Sequence, residues 1–361
     1  MSPRFDPFRP RDPVTDAMGV LVPALLLTAI GLLCVYSVKP VFAFKQAIWA
    51  IAGVSACVAI SRMPRDRLAR WATPGFVAVG VVLVLTLLFA PSVEHTRRWL
   101  VIPGVGSIQP SEFAKLLVVL FLSQRLANED RDLKQPLRHA WPVLLICVLV
   151  MMAPDFGTSV FVASIGVALF LLAGARVGRI FAAGVCALPV LLLVIQSNDY
   201  MKARLGWIHG LGYQQEQALI AIGSGGWFGV GLGAGRQKLD FLPAGHTDFV
   251  LANWAEELGF VGIAVVGVLF ALILIHGVRI ALAAEQRGDR FGFFVAAGAT
   301  LVVVFQAILN IAVETAAAPP KGISLPFLSQ GGSNLMTSLL ATGLIVGVAR
   351  SGQKEPEGQF A

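Results

Sequence analysis

Met18-Gly-Val-Leu-Val-Pro-Ala-Leu-Leu-Leu-Thr-Ala-Ile-Gly-Leu-Leu-Cys-Val-Tyr-Ser-Val38 carries no charge, over a length that matches the ~20 apolar residues a helix needs to cross a bilayer. The pattern recurs along the chain. Gly75 to Ala90, Ala140 to Ala153, Phe156 to Gly174, Ile180 to Gln196, Val261 to His276, Phe291 to Val313 and Leu335 to Val348 approach or reach the same length. Two weaker runs, Gln46 to Ile60 and Phe113 to Leu122, bring the expected total to about ten spans. Of 361 residues, 56% are hydrophobic and only 14% charged. The expected fold is therefore an all-α polytopic membrane protein, one membrane domain over 1–361, with no soluble domain and no internal repeat.

Lys and Arg set the orientation. With the N-terminus inside, most of the 28 fall in the N-terminal tail 1–16, the turns 62–70, 124–139, 175–179 and 279–290, and the C-terminal tail. The positive-inside rule then puts both termini in the cytoplasm. The net charge of +7 reports that topology, and nucleic-acid binding is not needed to explain it. The tail is too hydrophilic for a signal-peptide core, so the first span is expected to stay as an anchor. Cys34, Cys57, Cys147 and Cys186 all sit inside apolar runs, which argues against disulfides and thiolate metal sites.

The inner connections are short and charged, whereas the outer ones, 91–111, 197–247 and 315–333, are long, as loops that carry function often are. The largest, 197–247, is an extracytoplasmic loop between spans seven and eight. Within it Tyr213 to Ile222 has helical spacing, and Gly223 to Gly235 holds seven glycines that suit turns or close backbone packing.

Every polar cluster falls in these outer loops or the span ends beside them. The first is Arg97-Arg98-Trp99 with Gln109-Pro-Ser-Glu112-Phe-Ala-Lys115. Glu112 and Lys115, three apart on a helix, can pair, and the arginines could snorkel at the interface or grip an anionic headgroup. The second runs from Gln237 and Lys238 to His246-Thr247-Asp248 and into a hydrophobic span that still carries Glu256 and Glu257. Thr247 and Asp248 could simply cap that helix. Carboxylates in a spanning segment are costly, and proton handling or transport are the functional reasons for keeping them. The third is Lys321-Gly-Ile-Ser-Leu-Pro-Phe-Leu-Ser329-Gln-Gly331-Gly332-Ser333-Asn334, where glycines at a helix start could form an anion site or an ordinary capped turn. Asp155, between two spans, reads as a helix cap.

Taken together, these motifs resemble the SEDS family of polytopic peptidoglycan polymerases, which contains FtsW and RodA. The resemblance covers the chain from first span to last. Gln237-Lys238-Leu and Pro320-Lys321-Gly322-Ile-Ser-Leu-Pro are more similar to the cell-division branch, FtsW, than to the elongation branch, RodA. His95-Thr96, and Gln330 where the family commonly has Tyr, depart from the family pattern.

The resemblance implies glycosyl transfer from lipid II, an undecaprenyl-diphosphate-linked disaccharide pentapeptide, at the outer face of the inner, cytoplasmic membrane. It implies growth of a glycan strand and partnership with a single-span class B penicillin-binding protein, a transpeptidase, and other division-complex membrane proteins. It places the catalytic aspartate on Asp248, the polar pair of the fourth span on Glu112 and Lys115, and the arginine-tryptophan pair on Arg98 and Trp99. Such a reaction needs a base for the acceptor hydroxyl and cations for the leaving diphosphate. Arg98, Lys115, Lys238 and Lys321 are the candidate cations, and a magnesium or manganese ion held by carboxylates is a candidate cofactor. His246, Thr247, Ser329, Gly331, Gly332 and Ser333 are expected to line the substrate groove, with Glu256, Glu257 and Asp155 in support. A helix N-terminus would stabilise Asp248 as the anion and weaken it as a base, whereas burial acts the other way. The rival class is a lipid II transporter with the carboxylates as proton relay; a non-catalytic scaffold comes third.

Overall fold

A computed structural model describes residues 8–9, 12–91, 97–102, 106–127, 137–180, 184, 212–238, 241–242 and 245–352. The apolar runs of the sequence become helices α1 (Pro13–Val38), α2 (Pro40–Ser61), α3 (Arg65–Phe89), α4 (Pro110–Ala127), α5 (Leu137–Met152) and α6 (Phe156–Leu172). After them come α7 (Tyr213–Gly225), α8 (Val250–Gln286), α9 (Arg290–Glu314) and α10 (Gly332–Ser351). Six of these, α1, α2, α3, α8, α9 and α10, are long and apolar enough to cross a membrane. Most of the expected span Ile180 to Gln196 and much of the loop 197–247 lie outside the described residues.

Burial sorts the helices. The most apolar stretches of α9 and α10 are 67% and 78% buried, those of α2 and α3 only 22% and 28%. Thus α9 and α10 are core helices, and α2 and α3 present apolar side chains outward, as lipid-facing helices do. α4 joins the core: Ala114, Val118, Val119 and Leu122 are fully buried, and the charged Glu112 and Lys115 are buried beside them. That explains why α4 reads only weakly as a span. Its polar side chains face protein and not lipid.

The two ends of the bundle differ chemically. At one end Asp16 of α1 meets His276 of α8 at 2.8 Å, and Arg65 of α3 meets Asp289 before α9 at 3.0 Å. At the other, Gln109 before α4 donates its backbone amide to Ser333 of α10 at 2.9 Å. Among the described residues, those of the basic turns 62–70 and 279–290 gather at the first end, and those of the loops 91–111 and 315–333 at the second. The all-α expectation needs one correction, because Leu100–Ile102 and Gly106–Ile108 pair as an antiparallel hairpin in the loop 91–111.

α8 is broken at Gly259, whose φ of 66° and ψ of −160° interrupt the helix. Backbone groups freed by a break must be satisfied again in a membrane. Here the Glu256 and Glu257 carbonyls accept from Val230 and Gly231, and the Phe260 and Val261 amides donate to Gly226 and Trp227. The glycine-rich segment after α7 is thus a backbone splint for the break, and close packing explains its composition better than phosphate binding.

Candidate active site

α4 starts at Pro110 and carries the first charged pair. Lys115 Nζ lies 2.7 Å from Glu112 Oε2, one helical turn away. The same ammonium donates to Gln306 Oε1 of α9 at 2.7 Å and stands 5.3 Å from the centre of the Phe161 ring. Gln306 in turn donates to the Ser324 carbonyl at 2.8 Å and to Asn334 Oδ1 at 2.9 Å. A buried ion pair survives only with such further bonds. These groups wall a cleft whose lining includes Gln109, Glu112, Lys115, Gly157, Gln306 and Gly322.

Two more charges lie beside glycines of this lining. The side chain of Lys321 lies against Gly157, where no Cβ would fit, and Asp248 Oδ2 lies 2.9 Å from where a Cβ on Gly322 would stand. The Lys321 side chain and the Asp248 carboxylate thus each lie beside a glycine of the cleft lining.

Asp248 is half-buried just before α8. Its carbonyl accepts from Asn310 Nδ2 at 2.9 Å, and the same amide group donates to Ile323 O at 2.7 Å. The start of α8 is capped in part from α9. Phe249 holds the cap position without a side-chain bond, and the amides of Leu251 and Ala252 go to Glu314 of α9, at 3.4 and 2.7 Å. Sequence reading missed Gln306, Asn310 and Glu314. Their spacing by four puts them on one face of α9, a signal available in the chain.

His246 is half-buried and stacks on Phe42, ring centres 5.7 Å apart, while its carbonyl accepts from the Gln330 amide at 2.9 Å. Burial, and secondarily the charge of Lys39, push its pKa down. The imidazole is held towards its neutral form, which suits hydrogen bonding better than charge pairing with a diphosphate.

Other expected residues have structural contacts. Arg98 donates from Nε to Ala153 O at 2.8 Å and from Nη2 to Pro154 O, fastening the α5–α6 turn, with Trp99 next in the chain partly buried. Asp155 caps α6 at the Thr158 amide and also accepts from Gln109 Nε2 at 3.0 Å and Ser111 at 3.3 Å. Lys238, expected to face a diphosphate, is held by Glu257 at 2.9 Å and Ser37 at 3.0 Å. Glu256 accepts from the Arg236 and Gln237 amides at 2.8 and 3.1 Å. Both glutamates lie before the break at Gly259 and clip the outer segment onto α8, so neither sits deep within the long span.

The third cluster is packed as a turn. Ser329 is fully buried and takes the Leu325 amide at 2.7 Å, Gln46 of α2 spans Ser329 O and the Gly331 amide at 3.1 and 3.2 Å, and Gly332 lies against the Trp49 ring. Ser333 Oγ accepts from Gln109. Among the described residues no three His, Cys, Asp or Glu side chains converge as metal ligands.

Comparison with known proteins identifies the family. The FtsW/RodA/SpoVE family, described as cell cycle proteins, matches residues 15–354. A protein of a Geobacter species named probable peptidoglycan glycosyltransferase FtsW is 34% identical over 358 residues, covering 92% of this chain and 96% of its own. Stage V sporulation protein E of Bacillus subtilis is 36% identical over 363 residues, with 93% and 97% covered. Among solved structures, one described as structural coordination of polymerization and crosslinking by a peptidoglycan synthase complex superposes with a TM-score of 0.76 at 25% identity, covering 93% of this chain and 98% of that one. With the match running through every polar cluster that builds the cleft, the chain belongs to the SEDS family of FtsW/RodA/SpoVE cell cycle proteins, on its FtsW-like side.

Proposed function

We propose that this chain is a peptidoglycan glycosyltransferase of septal wall synthesis, which polymerises lipid II at the outer face of the cytoplasmic membrane. One observation carries the reading: the Glu112–Lys115 pair lines a cleft, and Asp248 and Lys321 lie against two glycines of the same lining, Gly322 and Gly157. That sets a base and two cations in or beside one lining. In the reaction an acceptor sugar hydroxyl forms a C–O bond to the glycosyl carbon while the bond from that carbon to the diphosphate breaks. The hydroxyl proton goes to Asp248, and the lipid diphosphate leaves with the bonding electrons, its charge met by Lys115 and Lys321.

The arrangement of charges supports the topology. Basic turns at the opposite end favour a cytoplasmic location for that end and for both termini, which puts the cleft on the outer side, where about ten spans would place it. The solved relative's description, coordination of polymerization and crosslinking, supports a transpeptidase partner, a single-span penicillin-binding protein, with further division proteins around it.

The test is polymerisation of lipid II in vesicles by the purified protein with its transpeptidase partner. Glycan strands should form, and Asp248→Asn should abolish them in a folded protein. Movement of lipid II across the bilayer with no polymer would overturn the reading in favour of a transporter.

A further inference from the structure

We infer that Glu314 is a positioning residue for Asp248, a carboxylate from α9 that caps the start of α8 and so fixes the turn that carries Asp248; the inference rests on the glycosyltransferase reading above. A helix start leaves its first backbone amides without intrahelical partners, and an Asp or Thr beside that start is the usual acceptor. Asp248 stands two residues before Val250, the first residue of α8, and three before Leu251. That is close to where a capping carboxylate would sit. Glu314, the last residue of α9, reaches across to this start and takes the Leu251 and Ala252 amides at 3.4 and 2.7 Å.

Three features make the bond from Glu314 more than incidental. Glu314 is fully buried, and a buried carboxylate is costly unless it is well bonded. Asn310, one turn earlier on the same face of α9, holds the Asp248 carbonyl at 2.9 Å, so one helix fixes both the residue and the turn that follows it. The Asp248 carboxylate itself lies against Gly322 at the cleft.

The experiment compares Glu314→Gln and Glu314→Ala with wild type in the lipid II polymerisation assay, in the complex with the transpeptidase, and normalises to folded protein by thermal melting. Loss of position should act on turnover: kcat falls about 10- to 100-fold in Glu314→Ala, while KM for lipid II stays within about twofold. Glu314→Gln keeps an acceptor oxygen without the charge, and its kcat should lie between those of wild type and Glu314→Ala. Wild-type kcat in folded Glu314→Ala overturns the inference, as does a raised KM at unchanged kcat. Should Glu314→Ala not fold, Glu314→Gln decides: a lowered kcat at unchanged KM supports the role, and wild-type kcat overturns it. A wild-type complex that makes no polymer fails the parent reading, and the inference falls with it; an active wild type with indifferent Glu314 variants fails the inference alone.

Discussion

Lys238 Nζ lies 2.9 Å from Glu257 Oε1, and Ser37 Oγ lies 2.6 Å from the same oxygen. This contact joins the outer segment, the end of α1 and the helix that follows Asp248. Both charges are largely buried, so removing one leaves the other without compensation. Lys238→Met should lower stability by about 3 kcal/mol, and adding Glu257→Gln should restore part of it. Thermal melting of the two single variants and the double variant measures the coupling; strict additivity would show that the pair contributes nothing.

Gly322→Ala probes the cleft without removing a charge. Its Cβ would stand 2.9 Å from Asp248 Oδ2, too close for the carboxylate to keep its place. Gly322 is exposed, so the fold should persist while kcat drops about 10- to 100-fold from displacement of the base. Polymerisation kinetics at saturating lipid II, with melting as control, check this; unchanged turnover would place Asp248 away from the chemistry.

His246 gives a pH dependence of stability. Burial depresses its folded pKa below 6.5, so the unfolded chain binds the proton more readily. Stability is then full above about pH 6.5, declines as pH falls towards the folded pKa and levels off below it. Melting at about pH 7.5 and about pH 5.5 should show a drop in wild type that is smaller in His246→Asn. An identical drop in both would assign it to other groups.

Much of this was legible in the sequence because it depends on local chemistry. Apolar runs mark helices, the three-residue spacing of Glu112 and Lys115 gives their pair, and Asp155 caps as its position suggests. What was not legible depends on which helices meet. Nothing near Lys238 in the chain points to Ser37, and nothing near Asp248 says that Glu314 will take the helix amides. Arg98 reads as a headgroup ligand until the Ala153 and Pro154 carbonyls are placed beside it. The hairpin at 100–108 is too short to show a strand pattern.

The glycines around and after α7 supply the remaining test, because the structure assigns them different tasks along one stretch. Gly229 has φ of 77° and would drive a Cβ into the Glu257 carbonyl, and Gly259 has φ of 66° with the Trp227–Gly229 backbone against it. Neither collision can be relieved by turning a side chain, and alanine at positive φ adds strain. Gly223, within α7, has nothing within 4 Å of its Cβ position, and alanine there favours the helix by about 0.5–1 kcal/mol. Gly229→Ala and Gly259→Ala should therefore sharply reduce the yield of folded protein, while Gly223→Ala melts at or above wild type. Size-exclusion profiles and melting curves in detergent separate these outcomes. Equal tolerance at all three positions would show that the splint across the break in α8 does not hold it.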